Sequence, residues 1–242
     1  SDLGATLAAF GPPTYLDFET TNPPIRLYPG TRPYQRIRFQ WSLHEVAATG
    51  ALRHREFLAD GRHDPRREFA GRLLGALGGG GEPVVVYSGF EAGVLSELAS
   101  AVPDLASGLD ALRARLVDLL PAVRRHVYHP AFGGSFSLKA VAPALVDGFG
   151  YGDLEEIADG GGASAAFLRL ASGAGTDGRE EVRVRRALLA YCERDTLALV
   201  ELLGRFGRGS VSRCPNLASA RATTSHGENI DFEQAECHPC QA

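Results

Sequence analysis

The chain has 242 residues, of which 44% are hydrophobic and 22% are charged, so it can form one domain with a substantial core. A formal net charge of −4 gives no electrostatic argument for a nucleic-acid partner. No apolar run reaches the roughly 18 residues that a membrane span needs, and the first residues lack the pattern of a secretory signal. We therefore expect a cytoplasmic protein with no membrane partner. Because methionine is absent, we also expect a piece of a longer parent protein whose other domains are partners.

The first part of the chain predicts three strands in succession. Residues Thr14 to Thr20 form a β-favouring run that follows a Gly-Pro-Pro turn. From Ile37 to Leu43, apolar residues alternate with polar ones, which is typical of a half-buried strand. A third strand is predicted from Leu52 to Leu58. Three strands joined in this way indicate an antiparallel meander.

The pattern then changes to helices with one further strand. Asp64 and Pro65 favour a helix start, and four glycines from Gly78 favour its end. The later predictions are a buried strand at Val84–Tyr87, a helix at Phe90–Ala99, short helices between Asp104 and Leu170, and a long helix at Arg179–Phe206. This order predicts an α/β fold in which helices flank a mixed sheet, an antiparallel meander plus parallel strands, as in the ribonuclease H-like fold.

The composition changes near residue 207. Residues 1–206 are predicted to form the folded domain, while residues 207–242 lack apolar periodicity and are interpreted as a flexible tail. The tail could alternatively bind zinc, because it holds several thiol and imidazole ligands at irregular spacing. These ligands are Cys214, His226, Cys237, His238 and Cys240.

Two acidic residues lie two positions apart on the first predicted strand. Asp17 and Glu19 therefore share one face with Tyr15, whereas Leu16 and Phe18 occupy the other face. Placing two carboxylates side by side among hydrophobic residues is costly, and a bound cation removes that cost. A solvent-facing edge strand would explain the same acids without a metal.

Two further acidic positions have competing interpretations. Tyr191 and Asp195 share one face of the last helix, where the hydroxyl could bond the acid or the acid could pair with an arginine of that helix. Glu91 follows the buried strand, and Ser88-x-x-Glu91 fits a capping box as well as it fits a metal ligand. The residues alone leave these alternatives open.

Together the acids resemble those of the DnaQ-like (DEDD) exonuclease family, in its tyrosine subclass. Asp17-Phe18-Glu19 resembles the first motif of that family, and Tyr191-Cys192-Glu193-Arg194-Asp195 resembles the third. Residues 84–95, VVVYSGFEAGVL, resemble the second motif, although Glu91 stands where the family has aspartate.

Within that superfamily the chain resembles a bacterial domain family of unknown function, found C-terminal in nuclease-like proteins. The stretches that carry this resemblance are YLDFET, PYQRIRFQWSLH, DPRREFA, GSFSLK and LLAYCERDTLALV. Ser137 and Lys139 also recur in related exonucleases, which suggests either phosphate (substrate) contact or a structural role.

The resemblance implies two-metal phosphodiester hydrolysis with Mg²⁺ or Mn²⁺, acting as a 3′–5′ exonuclease on a single-stranded nucleic-acid end. It implies that Asp17 bridges two ions, that Glu19 and Asp195 serve one ion, and that Glu91 serves the other. Tyr191 would orient the attacking water. The alternatives are a catalytically inactive nucleic-acid-binding or scaffold module, and an endonuclease on the same fold.

Overall fold

The structure is a computed structural model that describes residues 13–47, 49–77, 79–154, 156–173 and 177–207. These residues form an α/β fold built on a five-stranded mixed sheet that helices cover. The architecture is the predicted one and is compatible with a ribonuclease H-like fold. Of the helices described, none is both long and apolar enough to cross a lipid bilayer.

The sheet has the order β3-β2-β1-β4-β5. Its strands are β1 (Thr14–Thr21), β2 (Ile37–Val46), β3 (Leu52–Leu58), β4 (Val84–Val86) and β5 (Leu116–Asp118). β1, β2 and β3 form the predicted antiparallel meander, and β4 pairs in parallel with β1. β5 extends the parallel part of the sheet and was not predicted, because its sequence, Leu-Val-Asp, lacks the continuous apolar run that indicated β4.

Seven α-helices lie in the described ranges. They are α1 (Arg66–Leu77), α2 (Phe90–Ala101), α3 (Ala106–Arg113), α4 (Leu120–His126), α5 (Leu138–Leu145), α6 (Gly160–Ser172) and α7 (Gly178–Gly207). Short 3₁₀ turns span Pro103–Leu105 and Pro130–Phe132. The predicted long last helix is confirmed as α7. The tail prediction, with its zinc alternative, concerns residues 207–242. Gly207 is the last residue of α7, and residues 208–242 lie outside the described residues.

The two faces of β1 enter different cores, as the alternation of its residues predicts. Leu16 and Phe18 pack with side chains from α1, α2 and α3. Tyr15 packs on the opposite face, with residues of α4, α5 and α7. The same face carries Asp17 and Glu19 toward α7, so the acids face a covering helix and not solvent. The edge-strand interpretation of these acids is therefore wrong.

A β-bulge in β2 changes the prediction for that strand. Glu19 pairs with Gln40, but the next residue, Thr20, pairs with Arg38, so Phe39 is an extra residue. A bulge shifts the alternation of side chains by one position. Phe39 consequently stacks on Phe167 of α6 at a ring distance of 4.1 Å, away from the face that its alternation with Trp41 predicted.

The polar positions of β2 are buried, which also differs from the half-buried prediction. Gln40 and Ser42 are 0% and 1% exposed. α7 covers them: the Gln40 amide donates to the carbonyl of Leu188 at 2.7 Å, and Ser42 Oγ lies 2.8 Å from Thr196 Oγ1. Their polarity therefore reflects hydrogen bonds to a helix that the local pattern cannot show.

Candidate active site

Three of the predicted acids converge between β1 and α7. Asp17, Glu19 and Asp195 each offer a carboxylate oxygen, and these oxygens all lie within 4.8 Å of one another. Glu19 is 7% exposed and Asp195 is 3% exposed. Strand alternation aligns the first two, and α7 brings in the third across the sheet. This spacing allows the three side chains to share one cation.

The electrostatics of the cluster are unfavourable without a cation. Burial and, after it, the charge of Asp195 raise the pKa of Asp17 to about 8, while Lys139 opposes the shift. Burial also raises the pKa of Glu19 well above its usual value, with contributions from Asp17 and Asp195. Like charges at this distance oppose one another's ionisation, so the site favours either protons or a bound cation.

Glu91 lies beside this cluster in the first turn of α2 and is 3% exposed. Its Oε2 atom is buried without a hydrogen-bond partner among the described residues. Burial raises the pKa of Glu91, and the charges of Asp17 and Asp118 add to the effect. Glu91 could therefore bind a metal ion next to Asp17. It does not belong to the group of Asp17, Glu19 and Asp195, whose carboxylate oxygens lie within 4.8 Å of one another.

The capping-box interpretation of Glu91 is wrong on the serine side. Gly89 occupies the N-cap of α2, and no side chain caps the helix there. Ser88 Oγ accepts from the N–H of Phe90 at 3.2 Å, one residue short of the pattern that a capping box requires.

Lys139 enters the site from α5. Its Nζ donates to both carboxylate oxygens of Asp195, at 2.8 and 3.2 Å. Burial lowers the pKa of Lys139, but Asp195 and Tyr191 outweigh it, and the net shift is upward. The ammonium group is therefore charged and supplies one positive charge to a cluster of carboxylates. Ser137 is exposed just before α5, and its hydroxyl accepts from Ser135 at 3.2 Å.

Tyr191 lies one turn before Asp195 on α7 and is 1% exposed. The Nζ of Lys139 is 4.7 Å from the centre of its ring. Burial raises the pKa of Tyr191, followed by the effect of Glu19, so the hydroxyl keeps its proton at neutral pH. Asp195 pairs with Lys139, whereas Arg194 pairs with Asp153 at 2.6 Å, so the predicted alternative of an arginine on α7 is wrong.

Several residues at the site were missed by the sequence analysis. The hydroxyl of the half-buried Tyr151 lies near Asp195, whose charge raises the pKa of Tyr151 after the larger effect of burial. Cys192 Sγ lies 3.6 Å from Asp17 Oδ2. At the start of α6, a Cβ on Gly160 would lie 3.8 Å from Glu19 Oε2. Of these, only Cys192 had a signal, because it lies on the motif that contains Asp195 and Tyr191.

A second group of metal-compatible side chains lies where β2, β3 and α7 meet. His44, His54 and Glu193 offer ligand atoms that are also within 4.8 Å of one another. The His44 Nδ1 atom is 2.8 Å from Thr196 Oγ1, and His54 Nε2 is 2.9 Å from Ser42 Oγ. Burial lowers the pKa of His44 to about 4, so that imidazole is neutral at pH 7.

Comparison with known proteins gives one family match. The family model described as "Domain of unknown function (DUF2779)" matches residues 14–137, a span of 124 residues in a chain of 242. No curated protein and no solved structure matches the chain. The matched span contains β1 and Glu91, whereas Lys139, Tyr191 and Asp195 lie beyond it.

Proposed function

The chain belongs to the DUF2779 family of domains of unknown function, and we propose that it is a divalent-metal-dependent nuclease of the DnaQ-like type. The observation that carries this proposal is the convergence of Asp17, Glu19 and Asp195, with carboxylate oxygens within 4.8 Å of one another. Their residue types and order along the chain are those of the family that the sequence resembles.

The chemistry of the residues fits Mg²⁺ or Mn²⁺. Hard divalent cations prefer carboxylate oxygens, and the site offers these from three separate elements. The raised pKa values of Asp17 and Glu19 and the unpartnered Oε2 of Glu91 are both relieved by a cation. Asp17, Glu19 and Asp195 would hold one ion, and Glu91 with Asp17 would hold a second. When bound, such ions activate water and stabilise negative charge on the leaving oxygen.

The remaining side chains would bind and orient the substrate. Tyr191 keeps its hydroxyl proton at neutral pH, because burial raises its pKa, and can hold a water by hydrogen bonding. Lys139 is partly exposed and charged, so its ammonium can contact a phosphate while it holds Asp195 in place. Burial of the surrounding residues limits the access of bulk water to these groups.

The second candidate function is an inactive nucleic-acid-binding or scaffold module. The ion pair of Lys139 with Asp195, at 2.8 Å, favours it, because one carboxylate is neutralised without any metal. We prefer the enzyme, because Lys139 neutralises only Asp195. Three carboxylates of the site then have no cationic partner among the described residues: Asp17, Glu19 and Glu91.

The deciding experiment is cleavage of 5′-labelled single-stranded DNA and RNA with Mn²⁺. We expect the wild type to give progressively shortened labelled products, because the resemblance implies 3′–5′ polarity. Asp17→Asn should reduce cleavage to background, since it removes a charge shared by both proposed ions. Glu193→Gln is the matched control and should keep activity, because Glu193 belongs to the histidine group. If the wild type cleaves neither strand, the scaffold function replaces this one.

A further inference from the structure

A pocket lined by arginines lies between α2 and the loop that precedes β2. Its volume is about 520 Å³, within the roughly 300–1,000 Å³ typical of small-molecule sites. Its lining includes four arginines, Arg32, Arg36, Arg38 and Arg66, together with Asn22 and Tyr34. The pocket is separate from the carboxylate cluster but adjoins its elements.

The pocket carries an excess of positive charge. Glu97 accepts from both Arg36 and Arg38 and is the only acid among the described residues that line the pocket, while Asp64 pairs with Arg66. Four arginines therefore face two carboxylates. The structure describes no ion pair for Arg32, which lies exposed at the pocket rim. Two uncompensated guanidinium charges in a concave surface favour an anion.

Arg38 is unusual because its guanidinium is buried without full hydrogen bonding. The residue is 1% exposed, and its Nη1 donates to the carbonyl of Arg36 at 2.9 Å. Its Nε–H has no partner among the residues that the structure describes. The bulge at Phe39 places Arg38 on this side of the sheet. A buried donor without an acceptor is costly, so the described residues do not fully satisfy the guanidinium that lies beside this pocket.

Tyr34 supplies an exposed aromatic ring at the same pocket. It is 72% exposed, and its φ of 57° is the one left-handed non-glycine conformation in the described ranges. Its N–H donates to the carbonyl of Pro23 at 2.7 Å, which holds this backbone conformation. Packing does not explain a strained and exposed tyrosine, whereas stacking on a nucleobase would.

The pocket is continuous with the elements of the proposed active site. Arg36 lies over the ring of Phe90, with its Cζ 5.1 Å from the ring centre, and Phe90 precedes Glu91 on α2. Asn22 follows the end of β1, which carries Asp17 and Glu19. A ligand in the pocket therefore lies next to two of the elements that supply carboxylates.

We propose that the arginine pocket binds the phosphate backbone of a single nucleic-acid strand beside the segment that the carboxylate site would cleave. The proposal rests on the nuclease function above. Guanidinium groups recognise phosphate in a bidentate manner. The exposed ring of Tyr34 lines the pocket, and a second ring, Phe90, contacts its Arg36, which matches a strand that presents both phosphates and bases. A free nucleotide would use the same phosphate chemistry but only one base.

The test measures strand binding without cleavage. Anisotropy of a labelled oligothymidylate is recorded in EDTA at several salt concentrations, for wild type and for a double variant, Arg32→Ala with Arg36→Ala. The slope of log K against log[salt] should become shallower by about 0.7 for each phosphate that the variant no longer neutralises. Arg113→Ala is the matched control, because Arg113 pairs with Asp110 on α3 and does not line the pocket.

Tyr34→Gly tests stacking independently of charge. Glycine adopts a φ of 57° readily, so the variant should fold at least as stably as the wild type. Loss of the ring should weaken strand binding by about fivefold or more, with the salt slope unchanged.

The outcomes separate the sources of phosphate and the two proposals. A salt slope in the double arginine variant that equals that of Arg113→Ala overturns the pocket assignment, even if the wild type cleaves nucleic acid. If the double arginine variant binds the strand as tightly as the wild type but binds a mononucleotide or inorganic phosphate more weakly in a direct titration, the pocket is a free-phosphate site and the proposal is overturned. A shallower salt slope and weaker strand binding in the double arginine variant support the pocket assignment. If the wild type shows this binding but no cleavage, the pocket assignment stands and only the nuclease function fails.

Discussion

The two groups of metal-compatible side chains under α7 differ in how their charges are balanced. Burial and the charge of Asp195 raise the pKa of both Asp17 and Glu19, and the charge of Lys139 opposes the shift in each. In the other group, the rings of His44 and His54 stack at 4.6 Å, and buried hydroxyls satisfy one nitrogen of each. The carboxylate group thus carries excess negative charge, while both imidazoles of the other group already have hydroxyl partners.

This difference shows which group a bound cation would stabilise more. Equal spacing, within 4.8 Å in both cases, does not separate them. A buried cluster of carboxylates is stable only when protons or cations neutralise it, whereas a neutral imidazole with a hydroxyl partner is stable alone. The two groups are therefore alike in spacing, and their electrostatics favour the carboxylates as the ligands of a cation.

The largest effect is expected from Tyr191→Phe on cleavage. Removing the hydroxyl leaves the ring packed on α7 but removes a group that would position water. Cleavage of a labelled single strand with Mn²⁺ should fall by roughly 10²–10⁴-fold, the usual scale for losing a positioned proton-handling group. Mn²⁺ binding should be unchanged, because the variant keeps all four carboxylates.

The structural interpretation of Tyr191 predicts the reverse result. A hydroxyl that only stabilises the fold contributes about 1 kcal/mol to the free energy of unfolding and nothing to the rate of cleavage. The measurement is therefore the cleavage rate against the free energy of unfolding for both proteins. Full activity with reduced stability would remove Tyr191 from the proposed active site.

A smaller effect is expected from pH on the stability of the metal-free protein. Because the pKa of Asp17 is raised to about 8, the folded state keeps a proton that the unfolded chain has lost. The free energy of unfolding should therefore fall as the pH rises from about 4, the pKa of an aspartate in the unfolded chain, toward 8. Above pH 8 Asp17 should add no further change. Mn²⁺ at about 100 times its dissociation constant should restore about 2.7 kcal/mol at pH 8.

Two variants would test whether Mn²⁺ binds the carboxylate group or the histidine group. Asp17→Asn should reduce both the pH dependence and the Mn²⁺ stabilisation, and without metal it should be at least as stable at pH 8. His54→Ala should leave both effects in place, because it changes only the histidine group. Thermal unfolding with EDTA and with Mn²⁺ measures this, and a Mn²⁺ effect lost in His54→Ala would reverse the comparison.

The smallest effect is expected at Ser42. Its hydroxyl lies between His54 Nε2, at 2.9 Å, and Thr196 Oγ1, at 2.8 Å. Ser42→Ala should lower the free energy of unfolding by about 1–3 kcal/mol, because buried polar partners lose a hydrogen bond. Cleavage should stay within about twofold of the wild type, because the change leaves the carboxylates and Tyr191 in place. A large loss of cleavage would show that the two groups are coupled.

Local periodicity was sufficient to predict part of the site. Asp17 and Glu19 share a face because a strand has period two, and Tyr191 and Asp195 do so because a helix has 3.6 residues per turn. Both patterns are local, so they survive in any fold that keeps these elements. The mixed sheet followed from the order of strands and helices in the same way.

Contacts between distant elements could not be predicted from the sequence. The bulge at Phe39 depends on pairing with β1, and it redirects Arg38 toward α2. Tyr151 comes from a loop with no periodic pattern and reaches Asp195 only through the packing of other elements. Glu91 was ambiguous because one carboxylate can cap a helix or bind an ion, and only the structure shows that Gly89 is the N-cap of α2 and that Glu91 is buried.

The position of α7 in the chain has a consequence for folding. Cys192 and Asp17 are in contact although 175 residues separate them, and α7 is 30 residues long, or roughly 45 Å. While the protein is synthesised, β1 emerges long before α7, so Asp17 and Glu19 stay hydrated and their charges cost nothing. The cost arises at one step, when the last helix docks. Under the proposed function, divalent cations present at that step would stabilise the docked helix, because they neutralise the charges that it encloses.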